Sequence, residues 1–131
     1  MRIATCACGQ LRATCEGEPI RVSVCHCHAC KRLSGSAFSW NMRWEAAKVV
    51  VTGRVSEWQR TGDEGSTITN RFCPDCGTTV IYDLGDVPGQ IAIRAGCFAD
   101  EALPPPTISV YDPFRRCPWV DIDGPGLTRL G

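Results

Sequence analysis

The chain has 131 residues, 44% apolar and 21% charged, proportions of an ordinary globular protein long enough for one domain with a modest core. Fourteen basic residues balance fourteen acidic ones, so there is no cationic excess to neutralise a phosphate backbone, and nucleic acid is not expected as a partner. No apolar run approaches membrane-spanning length, and Met1-Arg2-Ile3-Ala4-Thr5-Cys6 opens no signal-peptide run, so the expectation is one cytosolic domain over residues 1–131 with no membrane partner.

The first feature in chain order is Cys6-Ala7-Cys8-Gly9. Residues two apart in a strand share a face, so Cys6 and Cys8 can meet one ion, with Gly9 letting the chain bend away. Arg21 to Cys25 alternates polar and apolar residues and reads as a strand. Cys27 to Ser34 reads as a short helix or turn closing at Gly35. Lys48 to Thr52 is β-branched and stops at Gly53; Val55 to Arg60, Ser66 to Phe72, Thr78 to Asp83 and Gln90 to Ala95 follow as strands. Pro104-Pro105-Pro106 is a rigid extended connector leading to a last strand near Thr107 to Tyr111. No long 3.6-residue periodicity occurs, so the fold class is mainly β, built of short strands.

The anomaly is ten cysteines. Cys6 and Cys8 form C-x-C, Cys25, Cys27 and Cys30 form C-x-C-x-x-C, and Cys73 and Cys76 form C-x-x-C. Disulfides between residues two apart fit badly, whereas neighbouring thiolates converge readily on a metal, which is also the usual reading in a cytosolic chain. Phe72-Cys73-Pro74-Asp75-Cys76-Gly77 has the form of a zinc knuckle, with proline setting the turn and glycine following the second ligand. Joined to Cys6 and Cys8, it makes a closed four-cysteine structural zinc site. Cys25, Cys27 and Cys30 then leave a fourth position open, the mark of a catalytic zinc. Three thiolates give that site a charge of about −1, suited to holding an incoming thiolate. Spacing also permits a second partition, a zinc ribbon of Cys27, Cys30, Cys73 and Cys76 that leaves Cys6, Cys8 and Cys25 over.

The chain resembles the glutathione-dependent formaldehyde-activating enzyme family, which includes the centromere protein V domain. The residues that carry the likeness are Cys6-Ala7-Cys8-Gly9, Cys25-His26-Cys27-His28-Ala29-Cys30-Lys31-Arg32, Gly35-Ser36, Phe72-Cys73-Pro74-Asp75-Cys76-Gly77-Thr78, Gly96-Cys97-Phe98 and Pro118-Trp119. The resemblance implies a β-tent fold of short antiparallel strands. It implies a structural zinc on Cys6, Cys8, Cys73 and Cys76 and a catalytic zinc on Cys25, Cys27 and Cys30, two ions per chain. The family's named reaction joins formaldehyde to glutathione to give S-hydroxymethylglutathione, so a carbon–sulfur lyase acting on a small thiol adduct is expected. The competing expectation is a non-catalytic, zinc-stabilised binding module.

Other residues have plainer readings. His26 and His28 alternate with the cysteines and face away from the metal if the segment is extended, which makes them supporting donors, surface residues or a proton carrier. Lys31 and Arg32 suit a substrate carboxylate or a solvated turn. Cys15, Cys97 and Cys117 read as core cysteines, with Cys97, like His28, a candidate to fill the open position. Trp40, Trp44, Trp58 and Trp119 read as core or pocket wall. Metal analysis of gently purified protein is expected to give two zinc ions per chain; a reproducible value of one would overturn the four-plus-three grouping.

Overall fold

Alternating and β-branched runs separated by turn residues become strands, and the chain is mainly β, 40% strand against 14% helix. The computed structural model describes residues 1–62 and 65–131. In chain order the strands are β1 (Arg2–Thr5), β2 (Arg12–Cys15), β3 (Arg21–Cys25), β4 (Ser39–Glu45), β5 (Val49–Thr52), β6 (Ser56–Thr61), β7 (Thr67–Phe72), β8 (Thr79–Leu84), β9 (Gln90–Arg94), β10 (Ile108–Val110) and β11 (Thr128–Arg129). The helices are α1 (His28–Ser34) and α2 (Asp112–Arg115). No helix among the described residues is long and apolar enough to cross a membrane.

The chain divides into two compact units, Met1–Ile20 with Met42–Asp100, and Arg21–Asn41 with Glu101–Gly131. In the first unit β1, β2 and β5 form an antiparallel sheet. Ala4, Ala13 and Cys15 point to its buried face. Antiparallel pairing also joins β6, β7, β8 and β9 in sequence order. Val80, Ile81 and Tyr82 of β8 and Ile91, Ala92 and Ile93 of β9 are buried without alternation, as befits strands covered on both faces. Trp44 completes this core, its indole N–H donating to the Gly17 carbonyl at 3.2 Å and its ring tilted against Phe98.

In the second unit β10 pairs in parallel with both β3 and β11. Parallel pairing needs a long connection, and most of the chain lies between β3 and β10. The proline connector ends where the Thr107 N–H donates to the Val22 carbonyl. Helix α1 closes at Gly35, whose φ of 63° is the left-handed cap glycine supplies at little cost.

Strands β3 and β5 to β10 fall on the expected runs, and α1 on the expected helical turn. The expectation missed β1, β2, β4 and β11. In β4 the buried positions include Ser39 and Asn41, which conceal the apolar pattern of a strand. The tryptophans divide: Trp44 is core, but Trp58 and Trp119 are 52% and 79% exposed, against the expected core or pocket wall. Trp58 lies on β6, which among the described residues pairs with β7 on one side alone.

Gly53 ends β5 with φ +104°, and a Cβ there would stand 2.2 Å from the Gln10 carbonyl oxygen. Strain and overlap act together in Gly53→Ala, so a loss of at least about 2 kcal/mol is expected in urea unfolding. A wild-type midpoint would show that the chain relaxes freely there.

Candidate metal centres

The turn between β1 and β2 presents the first cysteine pair. The Cys6 N–H donates to the Leu11 carbonyl and the Gly9 N–H to the Cys6 carbonyl, a tight loop with Gly9 at φ 85°. The second pair follows β7, whose register shifts at Arg71/Phe72 immediately before Cys73. There the Cys73 N–H donates to the Thr78 carbonyl and the Gly77 N–H to the Cys73 carbonyl. These two turns bring Cys6, Cys8, Cys73 and Cys76 together, with all four sulfurs within 4.8 Å of one another. The Cys6–Cys8 and Cys8–Cys73 sulfur separations are 3.6 and 3.7 Å. A Zn–S bond of about 2.3 Å puts tetrahedral sulfurs about 3.8 Å apart, so the group fits a four-coordinate zinc.

Hydrogen bonds hold this group from several sides. The Leu11 N–H donates to Cys6 Sγ at 3.3 Å, and the Asp75 and Cys76 N–H groups donate to Cys73 Sγ. The Gln10 carboxamide donates through Nε2 to Cys73 Sγ at 3.0 Å and to the Arg54 carbonyl at 2.8 Å, while its Oε1 accepts the Arg54 N–H. Arg54 is in turn paired with Asp75 inside the knuckle. Thr78 Oγ1 accepts the Ala7 N–H and contacts Cys76 Sγ at 3.3 Å, tying one cysteine turn to the other.

The thiols' proton affinities diverge in consequence. The side-chain and backbone bonds at Thr78 lower Cys76 to about 5. Burial raises Cys73, but the bonds from Gln10, Cys76 and Asp75 outweigh it and hold it below its ordinary value. The Gln10 backbone pulls Cys8 down, yet its neighbouring thiols and desolvation push it up to about 12. Packed sulfurs resist ionising together, a conflict that a divalent cation removes.

The second group lies wholly within the second unit. Cys25 ends β3, Cys27 caps α1 and Cys30 stands on its first turn, with the three sulfurs within 4.8 Å of one another. No fourth His, Cys, Asp or Glu joins them among the described residues. The Cys30 N–H donates to Cys27 Sγ at 3.3 Å. Sharing with Cys27 and Cys30, together with burial, pushes the Cys25 thiol far up. Cys30 is also raised, its bond to Cys25 pulling down while Cys27 and burial push up. Three converging thiols meet the donor requirement of a zinc site that keeps one position open.

Behind this group the His26 ring is fully buried, with Nε2 3.0 Å from Ser109 Oγ. Ser109 Oγ donates to Asp112 Oδ2 at 2.6 Å. Asp112 also receives Arg116 Nε at 3.1 Å and Arg129 at 2.8 Å. Burial raises Asp112, but the bonds from Ser109, Arg129 and Arg116 outweigh it and keep it below the ordinary carboxylate value.

The sequence matches the model of the glutathione-dependent formaldehyde-activating enzyme family over residues 1–113. The chain belongs to this family. No curated protein matches the sequence. Among solved structures, the crystal structure of a Rhodobacter sphaeroides protein superposes with a TM-score of 0.58 at 17% identity, covering 79% of this chain and 91% of that one. At that identity the likeness speaks for the fold alone.

Both cysteine groups of this family member have the membership expected of the four-plus-three partition. The sulfurs of Cys73 and Cys76 gather with those of Cys6 and Cys8, and those of Cys27 and Cys30 gather with Cys25. Neither His28 nor Cys97 enters the open position: His28 is exposed, and the Cys97 thiol lies against the Thr79 carbonyl at 3.7 Å. Cys15 is core as expected, whereas Cys97 and Cys117 are only partly buried. Lys31 is committed to the Arg115 carbonyl at 2.5 Å, and Arg32 is exposed. Sequence reasoning missed Gln10, Ser109 and Asp112. Gln10 directly follows the first cysteine turn, a signal of proximity, but nothing in the sequence links Ser109 or Asp112 to the second cluster.

The four-cysteine group ties the N-terminal turn to the middle of the chain, so Cys73→Ser is expected to abolish cooperative unfolding or to cost several kcal/mol, about the worth of a structural metal in a small domain. An unchanged thermal melt would remove the structural assignment.

Proposed function

We propose that this family member is a zinc-dependent carbon–sulfur lyase acting on small thiol adducts, with glutathione plus formaldehyde giving S-hydroxymethylglutathione as the first reaction to assay. The observation that supports this reading is the inequality of the two groups. Four cysteines with many donors onto sulfur suit a structural zinc; three suit a catalytic one. A module needing only rigidity has no use for the second set. The reading takes residues 1–131 as one functional domain in the cytosol, holding two zinc ions and needing no nucleic acid or membrane.

The net reaction is free of redox. The thiol sulfur bonds to the aldehyde carbon, the carbonyl π pair moves onto oxygen, and the thiol proton ends on that oxygen; the lyase direction reverses each change. A zinc held by Cys25, Cys27 and Cys30 supplies a soft position for a sulfur donor, about −1 in charge and poor at making hydroxide. The chain's own residues do the rest. The bond from Cys30 N–H to Cys27 Sγ ties two ligands across the first turn of α1. His28, exposed beside Cys27, is placed to exchange a proton with solvent. Arg32, exposed on the same helix, suits a substrate carboxylate. Lys31, drawn to the Arg115 carbonyl, anchors α1 to the C-terminal segment instead.

Cys27→Ser is expected to leave the melting curve close to wild type while adduct formation from glutathione and formaldehyde, followed by NMR, falls to the uncatalysed rate. Loss of the fold with no rate above background in the wild type would favour the non-catalytic binding module.

A further inference from the structure

His26 stands between two ligands of the three-cysteine group, yet its buried ring takes no part in the chemistry proposed there. Its partners form a chain with one consistent direction. A carboxylate only accepts, so the single hydroxyl proton of Ser109 goes to Asp112 Oδ2 at 2.6 Å. Ser109 must therefore accept from His26, which places a proton on Nε2 across the 3.0 Å contact. That order differs from a nucleophilic triad, where the serine proton goes to histidine. Ser109, His26 and Asp112 are at most 2% exposed, out of reach of any substrate. What the chain does reach is the ligand backbone: the His26 N–H donates to the Val110 carbonyl, Cys25 lies opposite Val110 in the β3–β10 ladder, and Phe38 packs on the ring at 5.8 Å.

We propose that Ser109 and Asp112 are positioning residues of the three-cysteine group, acting through His26 to hold Cys25 and Cys27 converged before a metal arrives. This rests on reading that group as a metal site, and not on the lyase reaction. The His26 side chain is the only one between the two ligands, so fixing its ring fixes the backbone that carries both sulfurs. Asp112 is suited to be the far end because Arg116 and Arg129 hold it in turn, with Arg116 also reaching the Val120 carbonyl and Arg129 the Ile122 carbonyl. Partners that orient metal ligands from behind typically set metal affinity over about a 10- to 100-fold range.

The test is zinc release from the full-length, zinc-loaded chain to a chromogenic chelator, with Cys27→Ser identifying the phase that belongs to the three-cysteine group. Ser109→Ala is expected to speed that phase by about 10- to 100-fold and leave the four-cysteine phase unchanged. In the cobalt-substituted protein, the thiolate-to-cobalt absorption of the three-cysteine group alone should alter, and Ser109→Thr, which keeps the hydroxyl, should restore both readouts. If Ser109→Ala does not fold, Arg129→Gln, at the surface end of the chain, is expected to give the same selectivity at smaller amplitude. Equal acceleration of both phases, no acceleration of either, or failure of threonine to rescue overturns the proposal. A wild-type chain that retains zinc on four cysteines only overturns it together with the metal reading beneath it. Selective release in a protein with no turnover of thiol adducts upholds this inference and defeats the lyase.

Discussion

Cys8 and Cys73 are 65 residues apart in sequence and 3.7 Å apart at sulfur, and the first unit is organised around bringing them there. Closing a loop of that length costs about 4 kcal/mol in chain entropy before any contact repays it. The β1–β2 turn and the knuckle after β7 are each formed locally by their own backbone bonds, so only their meeting is expensive. Gln10 and Thr78 make that meeting specific, because each bonds across from one cysteine turn to the other. Gly53 is part of the same constraint: it keeps the Arg54 backbone close enough for the Gln10 carboxamide to engage both its N–H and its carbonyl. A metal on the four sulfurs would add its binding energy to folding directly.

Cysteine thiols in a cluster are the same chemistry at both groups, but the donors around them differ. Hydrogen bonds into sulfur spread its negative charge and lower its basicity. At the first group, backbone N–H donors from Leu11, Asp75 and Cys76 join the side chains of Gln10 and Thr78. At the second, the Cys30 N–H donates to Cys27, and Ser39 lowers Cys30. Cys25 and Cys30 lie above the ordinary thiol value, Cys25 through its bonds with Cys27 and Cys30 and through burial, Cys30 through Cys27 and burial.

Legibility followed the range of the forces involved. Helix α1 and the strands from β5 to β10 could be read because local alternation and turn residues decide them, and the three cysteine motifs because spacing within a turn is local too. Strand β4 was hidden since Ser39 and Asn41 occupy buried positions that ordinarily carry apolar residues. Trp58 and Trp119 misled in the opposite sense: large rings that the tertiary arrangement leaves at an edge strand and in the C-terminal segment. The choice between zinc ribbon and four-plus-three partition was not local. It depended on which turn Cys73 and Cys76 face; spacing left it open, and only the family resemblance implied an answer. The partners of His26 were out of reach because Ser109 meets it from 83 residues away, through a parallel ladder that no sequence pattern announces.

That ladder also shows how differently the two units are filled. The largest fully buried side chains of the first unit are Trp44, Leu11, Met42, Ile81 and Ile93; those of the second are His26, Val24 and Asp112. A buried carboxylate pays heavily in desolvation, and apolar replacement of such networks is often neutral or stabilising, so stability alone does not account for Asp112. What an apolar filling cannot supply is direction. Hydrophobic contacts tolerate rotation and sliding, whereas the bonds from Arg116, Arg129 and Ser109 admit one placement of the carboxylate, and Ser109 then admits one placement of the His26 ring. The three-thiol group has no fourth His, Cys, Asp or Glu among the described residues to hold its shape. The second unit thus places its most directional buried contacts behind the site that is least able to organise itself.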